Sequence, residues 1–418
     1  MLGATTTTMP SDVTATAPGR WAIALAGAVS LAVAMGIGRF AFTPLLPMML
    51  HDGVIDLHGA SWLASANYLG YLAGALLCTF QPWIWARVRG LPAIHATRLV
   101  RGGLVATGLL TLGMALPLPW TWGLLRFAAG VASAVVFVYV SGWCLGTLAR
   151  MNHAALGGAI YTGPGAGIVI SGVFASGMVQ WGWRAQTGWI IFGVLAFALS
   201  ALIWRTFRGA GPAAPAATAA ATGAMQGHGA TEIGVLAFAY GIAGFGYIVT
   251  ATFLPVIARQ ALPGSPWLDM FWPIFGLGVM IGALLATRLR VTLDMRLLLA
   301  GCFVAQALGI AIGVWSPSLA GFAIGSLMLG VPFTAITFFA MQEIRRLKPP
   351  HLVASFMGLL TALYGIGQIA GPPMVALILR HASSTGAGFT LSLEVAAGSL
   401  VVGALMFVAM SRMWPRRG

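Results

Sequence analysis

Apolar stretches of about 20 residues, each long enough to cross the hydrocarbon core of a bilayer as a helix, recur along the whole chain between charge clusters and Gly/Pro-rich turns. An unsatisfied backbone group in hydrocarbon costs several kcal/mol, so such stretches form helices. A soluble two-domain protein, which 418 residues would permit, is excluded by this recurrence: 59% of the chain is hydrophobic and 7% charged, against roughly 25% charged in soluble domains.

Breaking the sequence at charges and turns predicts twelve spans, near 21–50, 60–82, 99–117, 120–148, 154–180, 186–206, 231–258, 267–287, 295–314, 318–342, 351–379 and 387–411. Residues 1–20 lack an apolar core and read as a disordered cytoplasmic tail rather than a signal peptide. The Ala/Gly/Pro/Thr stretch 209–230 reads as a cytoplasmic linker between a six-helix bundle at 21–208 and another at 231–412, with a short tail at 413–418. The expected fold class is therefore an all-α membrane protein of twelve transmembrane helices in two parallel six-helix repeats.

The net charge of +14 has a topological explanation. With the N-terminus inside, loops on that side hold most of the basic residues, whereas the outer loops hold only Arg184, Arg259 and Arg380. Both termini are thus expected in the cytoplasm, and no nucleic-acid partner is needed to account for the charge. Arg39 and Arg126 are left within spans. Cys78, Cys144 and Cys302 lie in or beside spans at no metal-site spacing, so neither disulfide nor metal is expected. The bias of arginine over lysine suggests a bacterial genome.

An offset of 208 residues superposes Gly36, Gly38 and Pro47 on Gly244, Gly246 and Pro255, "GYLAGALL" (70–77) on "GVMIGALL" (278–285), and Gly163-Pro164 on Gly371-Pro372. Two halves entering from the same side are parallel repeats about an axis along the membrane normal.

This arrangement resembles the major facilitator superfamily. "LLRFAAG" resembles its arginine–glycine motif of span 4 (Arg126, Gly130), "YTGPGAG" its antiporter motif of span 5 (Gly163, Pro164, Gly167), and "GIGRFAFTPLLPMM" with "NYLGYLAGALL" resembles the YbfB/YjiJ-like branch. The resemblance implies a secondary transporter of the bacterial inner membrane. One departure is that Cys78 stands where the loop 2–3 motif has an aspartate, which puts the charge clamp attributed to that motif in doubt.

The stretch 35–47 concentrates the unusual residues. Gly36 and Gly38 permit close helix contact, and Pro44 and Pro47 each remove a backbone donor and invite a kink. Similar residues in span 7, among them Pro255, predict a comparable bend there; Gly163, Pro164, Gly371 and Pro372 complete the expected gating set. Arg39 lies roughly 16 Å from the outer end of its span at 1.5 Å per residue, too deep to snorkel easily. Each intramembrane arginine is either a structural cap on broken-helix carbonyls or an anion-attracting charge in a solute cavity. Position 208 beyond Arg39 is Tyr247, so the shared fold does not require the arginine. Asn67, Tyr71, Tyr161, Tyr247 and Gln368 are the other candidate substrate-binding residues, each with helix packing as the alternative.

All eight acidic residues and all seven histidines fall in loops or near helix ends. No proton carrier stands out at the midplane, Glu394 being the least distant candidate, and no nucleophile–base pair, ligand set or Walker motif suggests an enzyme, a cofactor or a primary pump. The expected function is alternating-access movement of a small organic solute, anionic or carboxylate-bearing, by a monomer in the lipid bilayer. Proton coupling or a counter-solute is left open, and drug or metabolite efflux by antiport is the alternative.

Overall fold

The computed structural model describes residues 18–88, 95–207, 228–265, 267–286, 288, 294–348 and 350–415. The expected tails and linker therefore lie largely outside the described residues, as do Arg89, Arg208, Arg290, Arg416 and Arg417. Residues 228–230, read as linker, are already helical.

The described chain is helical throughout. The first crossing is α1 (Arg20–Leu31), a π-helical stretch Ala32–Ile37, and α2 (Phe42–His51). Then come α3 (Leu57–Arg87), α4 (Ala96–Gly113) and α5 (Pro119–Arg150). A 3-10 stretch Ala154–Thr162 leads into α6 (Gly163–Gln180), followed by α7 (Ala185–Ile203). The second half holds α8 (His228–Ala261), α9 (Phe271–Ala286), α10 (Met295–Trp315), α11 (Leu319–Leu347), α12 (Pro350–His381) and α13 (Thr385–Met413). Asp56, Asp294, Ser318 and Ser384 each accept a backbone N–H at a helix start, the ordinary N-cap arrangement.

Among the described residues, eleven helices are long and apolar enough to cross a membrane. The twelfth expected span, 99–117, coincides with α4, whose first turns carry Arg98 and Arg101 and dilute its apolar content below the other eleven. Large apolar side chains such as Leu124, Leu202 and Leu405 point outward, as suits lipid rather than water.

The two halves pack by corresponding pairs. α3 packs on α5 as α9 does on α11, α4 on α7 as α10 does on α13, and α1 on α6 as α8 does on α12. Between halves, α3 meets α12, α6 meets α9 and α2 meets α8. Small residues make these approaches possible: a Cβ on Gly36 would stand 2.3 Å from Gly167 Cα, closer than any real contact.

The glycine and proline positions expected to bend differ in their local structure. Span 1 is broken, but at Ala32–Ala41, before the prolines; Pro44 is in the first turn of α2. In span 7, α8 is helical without interruption past Gly244, Gly246 and Pro255, the proline standing inside the helix. α12 likewise continues through Gly371 and Pro372, whereas Gly163-Pro164 opens α6 at its junction with the 3-10 stretch.

Candidate functional site

The break in span 1 leaves main-chain carbonyls without their usual donors. Gly38 N–H bonds Val33 O (2.9 Å) instead of Ala34 O, and Ser133 Oγ of α5 donates to Ala34 O at 2.6 Å in its place. Since Pro44 has no N–H for Phe40 O, Thr43 N–H turns to it (3.2 Å) and leaves Arg39 O free. Arg126 fills that vacancy, donating from Nη2 to Arg39 O (3.0 Å) and from Nη1 to Gly38 O (3.2 Å). Its guanidinium lies 5.0 Å from the Phe42 ring centre, and Asn67 Nδ2 donates to Arg126 O at 2.9 Å. Arg126 and Asn67 thus hold the broken helix against α3 and α5.

The Arg39 side chain leaves the break in another direction. It is 4% exposed and donates from Nη2 to Gln368 Oε1 of α12 at 2.6 Å. Its guanidinium carbon is 4.3 Å from the Tyr71 ring centre and 5.2 Å from those of Phe40 and Tyr68. Gln368 Nε2 donates to the Tyr247 hydroxyl, which fixes the amide orientation, because its oxygen must face the guanidinium. The Tyr247 ring stacks on Tyr364 at 5.8 Å, and Tyr364 in turn lies 4.9 Å from Tyr240. The arginine and the tyrosine that occupy equivalent positions in the 208-residue repeat therefore meet through one glutamine.

Neither Arg39 nor Arg126 has a carboxylate within ion-pair distance among the described residues. Arg39 Nε and Asn67 Oδ1 are buried without a hydrogen-bond partner. A buried guanidinium faced by an amide and aromatic rings is held in place without being neutralised, so it can take a bidentate carboxylate or phosphate.

Four of the expected residues come together here: Arg39, Tyr71, Tyr247 and Gln368. Arg126 and Asn67 stand beside them, engaged with backbone. Tyr161 does not join: its ring packs on Phe137 at 6.1 Å, and no hydrogen bond or ring contact ties it to Arg39 among the described residues. Glu394 is exposed on α13 and is no buried proton carrier. Sequence reasoning missed Tyr68, whose hydroxyl bonds Thr252 Oγ1 at 2.9 Å, and Thr43, which donates to Ala251 O at 3.1 Å. Ser65 to Ile369 O (3.1 Å) and Arg380 to His58 (3.4 Å) complete the hydrogen bonds that join the halves among the described residues. Apart from the Arg39 contact, all of them lie toward the face opposite the chain termini.

A further cluster surrounds Arg296. Arg296, at the start of α10, is fully buried and bonds Asp294 (2.9 Å), Trp414 O (2.6 Å) and Met410 O (3.2 Å). Glu232 and Glu343 share Arg296 with Arg346, whose Nη2 reaches them at 3.0 and 2.7 Å. This network ties together the ends of α8, α10, α11 and α13 within the second half, whereas no ion pair joins the two halves among the described residues. The i, i+3 spacing of Glu343 and Arg346 was the available signal.

A family model described as uncharacterised MFS-type transporter YbfB matches residues 31–408. No curated protein matches the chain. Among solved structures, the nucleoside transporter NupG in a point-mutant form is similar with a TM-score of 0.69 at 16% identity, covering 94% of this chain and 99% of that one. A bacterial homolog of the human lysosomal transporter Spinster, in an inward-facing and unoccupied conformation, is similar with a TM-score of 0.67 at 15% identity, covering 94% and 97%.

Proposed function

Because the chain belongs to the YbfB family of MFS-type transporters, we propose that its solute is a small organic anion, carboxylate-bearing by preference, moved by alternating access with Arg39 as the anchoring charge. The observation that carries this reading is the Arg39 guanidinium, buried, without a carboxylate partner, and bonded to Gln368 of the other half. A central arginine costs about 2.5 to 3.5 kcal/mol on insertion scales, and a fold that needed only a cap already has Arg126.

The halves 21–208 and 231–412 act as the two rocking bodies, with α4 as the twelfth crossing and both termini in the cytoplasm of a bacterial inner-membrane protein. We read the Thr43, Ser65, Tyr68 and His58 contacts as holding the face opposite the termini shut. An entering anion displaces Gln368 from Arg39 and couples occupancy to the inter-half contact, which is the differential interaction a ligand needs to shift a two-state equilibrium. The chain acts as a monomer; a proton or counter-solute completes the cycle.

The test is a thermal-shift screen of purified wild type and Arg39→Ala against carboxylates, sugar phosphates, amino acids, nucleosides and cationic drugs. Stabilisation of wild type by one anionic class, lost in a variant that still folds, supports the reading. Equal stabilisation of both proteins by neutral or cationic compounds overturns it and directs work to efflux by antiport.

A further inference from the structure

The nitrogens of Arg39 differ in what surrounds them. Nη2 is bonded to Gln368 and Nε is enclosed without a partner, whereas Nη1 has no hydrogen bond among the described residues and is not enclosed. The guanidinium therefore meets open space at Nη1. The side chains nearby that are themselves partly exposed are rings. Tyr71 of α3 has its ring centre 4.3 Å from the guanidinium; Tyr364 of α12 stacks on Tyr247; Phe333 of α11 stands edge-on to Tyr247 at 5.0 Å and to Phe40 at 6.3 Å. The three rings come from both halves.

Charge and polarity at this level narrow the solute. Of the two arginines here, Arg126 is engaged by Gly38 O and Arg39 O, which leaves one guanidinium to face an anion. A carboxylate matches it charge for charge. A phosphate monoester carries about −1.5 to −2 near neutral pH and brings charge that nothing at this level compensates, where an unpaired charge is costly. The amides are also engaged: Gln368 bridges Arg39 and Tyr247, and Asn67 donates to Arg126 O. A body rich in hydroxyls would lose its water here without groups to replace it, whereas a flat ring finds faces and edges to pack on.

We propose that the solute is an aromatic monocarboxylate, its carboxylate on Nη1 and Nη2 of Arg39 and its ring against Tyr71 and Tyr364. The assignment rests on Arg39 as the anchoring charge and adds the chemistry of the solute's body. A bidentate carboxylate on Nη1 and Nη2 takes the place of Gln368 Oε1.

The test is isothermal titration calorimetry of the full chain in phosphatidylcholine nanodiscs. Benzoate, phenylacetate and naphthoate are compared with their ring-saturated counterparts, with phenyl phosphate and with benzamide. The expected result is that an aromatic carboxylate binds about 2- to 10-fold tighter than its saturated counterpart, the equivalent of one aromatic pair, and that benzoate binds tighter than phenyl phosphate or benzamide. Tyr364→Leu brings the aromatic preference close to one, and Tyr364→Phe keeps it. Saturated acids that bind as tightly as aromatic ones, or phenyl phosphate that binds tighter than benzoate, overturn the proposal and leave Arg39 as an anion anchor. Binding by no aromatic carboxylate also overturns it, and the anionic classes of the thermal-shift screen then decide the role of Arg39 separately. Benzamide that binds as tightly as benzoate, or benzoate binding unchanged in Arg39→Ala, overturns this proposal and the anion reading together.

Discussion

Arg39 and Arg126 are nearly equally buried, at 4% and 2% exposure, yet their partners give them different work. Arg126 bonds two carbonyls that the helix break has orphaned. Each buried carbonyl left unpaired costs about 1 to 3 kcal/mol, so Arg126→Ala is expected to lower the thermal unfolding midpoint sharply. Arg39 bonds a side-chain amide and rings, so Arg39→Ala is expected to fold with a smaller loss while its response to anionic solutes disappears. Equal losses of stability in the two variants would count against the division. Gln368→Glu sharpens it: a carboxylate placed on Arg39 supplies the missing counter-ion, and the expected outcome is a more heat-stable protein whose thermal shift with anions is abolished.

At the level of the helix, the break in span 1 and the arginine that caps it form one unit. Pro44→Ala restores an N–H for Phe40 O, which lets Thr43 N–H return to Arg39 O and makes part of the Arg126 contact redundant. The two substitutions are therefore expected to be non-additive, Pro44→Ala recovering about 0.5 to 3 kcal/mol of the loss in Arg126→Ala, as a double-mutant cycle of unfolding midpoints would read. Gly36→Ala forces a methyl into Gly167 of α6 and should cost about 1 to 3 kcal/mol by overpacking. Span 7 contains equivalent glycines and a proline but no interruption of the helix; in span 1 the interruption is accompanied by Ser133 and Arg126 of α5, which satisfy the freed carbonyls.

For the molecule as a whole, Thr43 and Tyr68 form hydrogen bonds across the halves, and under the alternating-access proposal these are expected to oppose opening of the face opposite the termini. Removing both, in Thr43→Val with Tyr68→Phe, forfeits about 1 to 3 kcal/mol, a shift of roughly 5- to 150-fold. A cysteine at Ala251, in a protein with Cys78, Cys144 and Cys302 replaced, is expected to react faster with a polar maleimide in that variant. An unchanged rate would mean that these bonds do not hold the face shut. The ionic network around Arg296 stays within the second half, so it ties helices of that half together.

The membrane class, nearly all the spans and the unusual depth of Arg39 were legible in the sequence, because hydrocarbon thickness dictates span length and the cost of a buried charge makes an intramembrane arginine conspicuous. The roles of the two arginines were not. Gln368 lies 329 residues from Arg39 and Asn67 lies 59 from Arg126, and no local pattern encodes contacts at such separations. Span 7 carries equivalent glycines and a proline yet stays helical throughout, because these residues permit an interruption without requiring one. The burial of Arg296 was not legible either, because burial at a helix start depends on Glu232, Glu343 and two carbonyls of α13 and its end converging from other elements. Local chemistry determined that the chain crosses the membrane and where its polar anomalies lie; which groups satisfy them was decided only by packing, since a hydrogen bond reaches about 3 Å and only the folded bundle brings those partners that close.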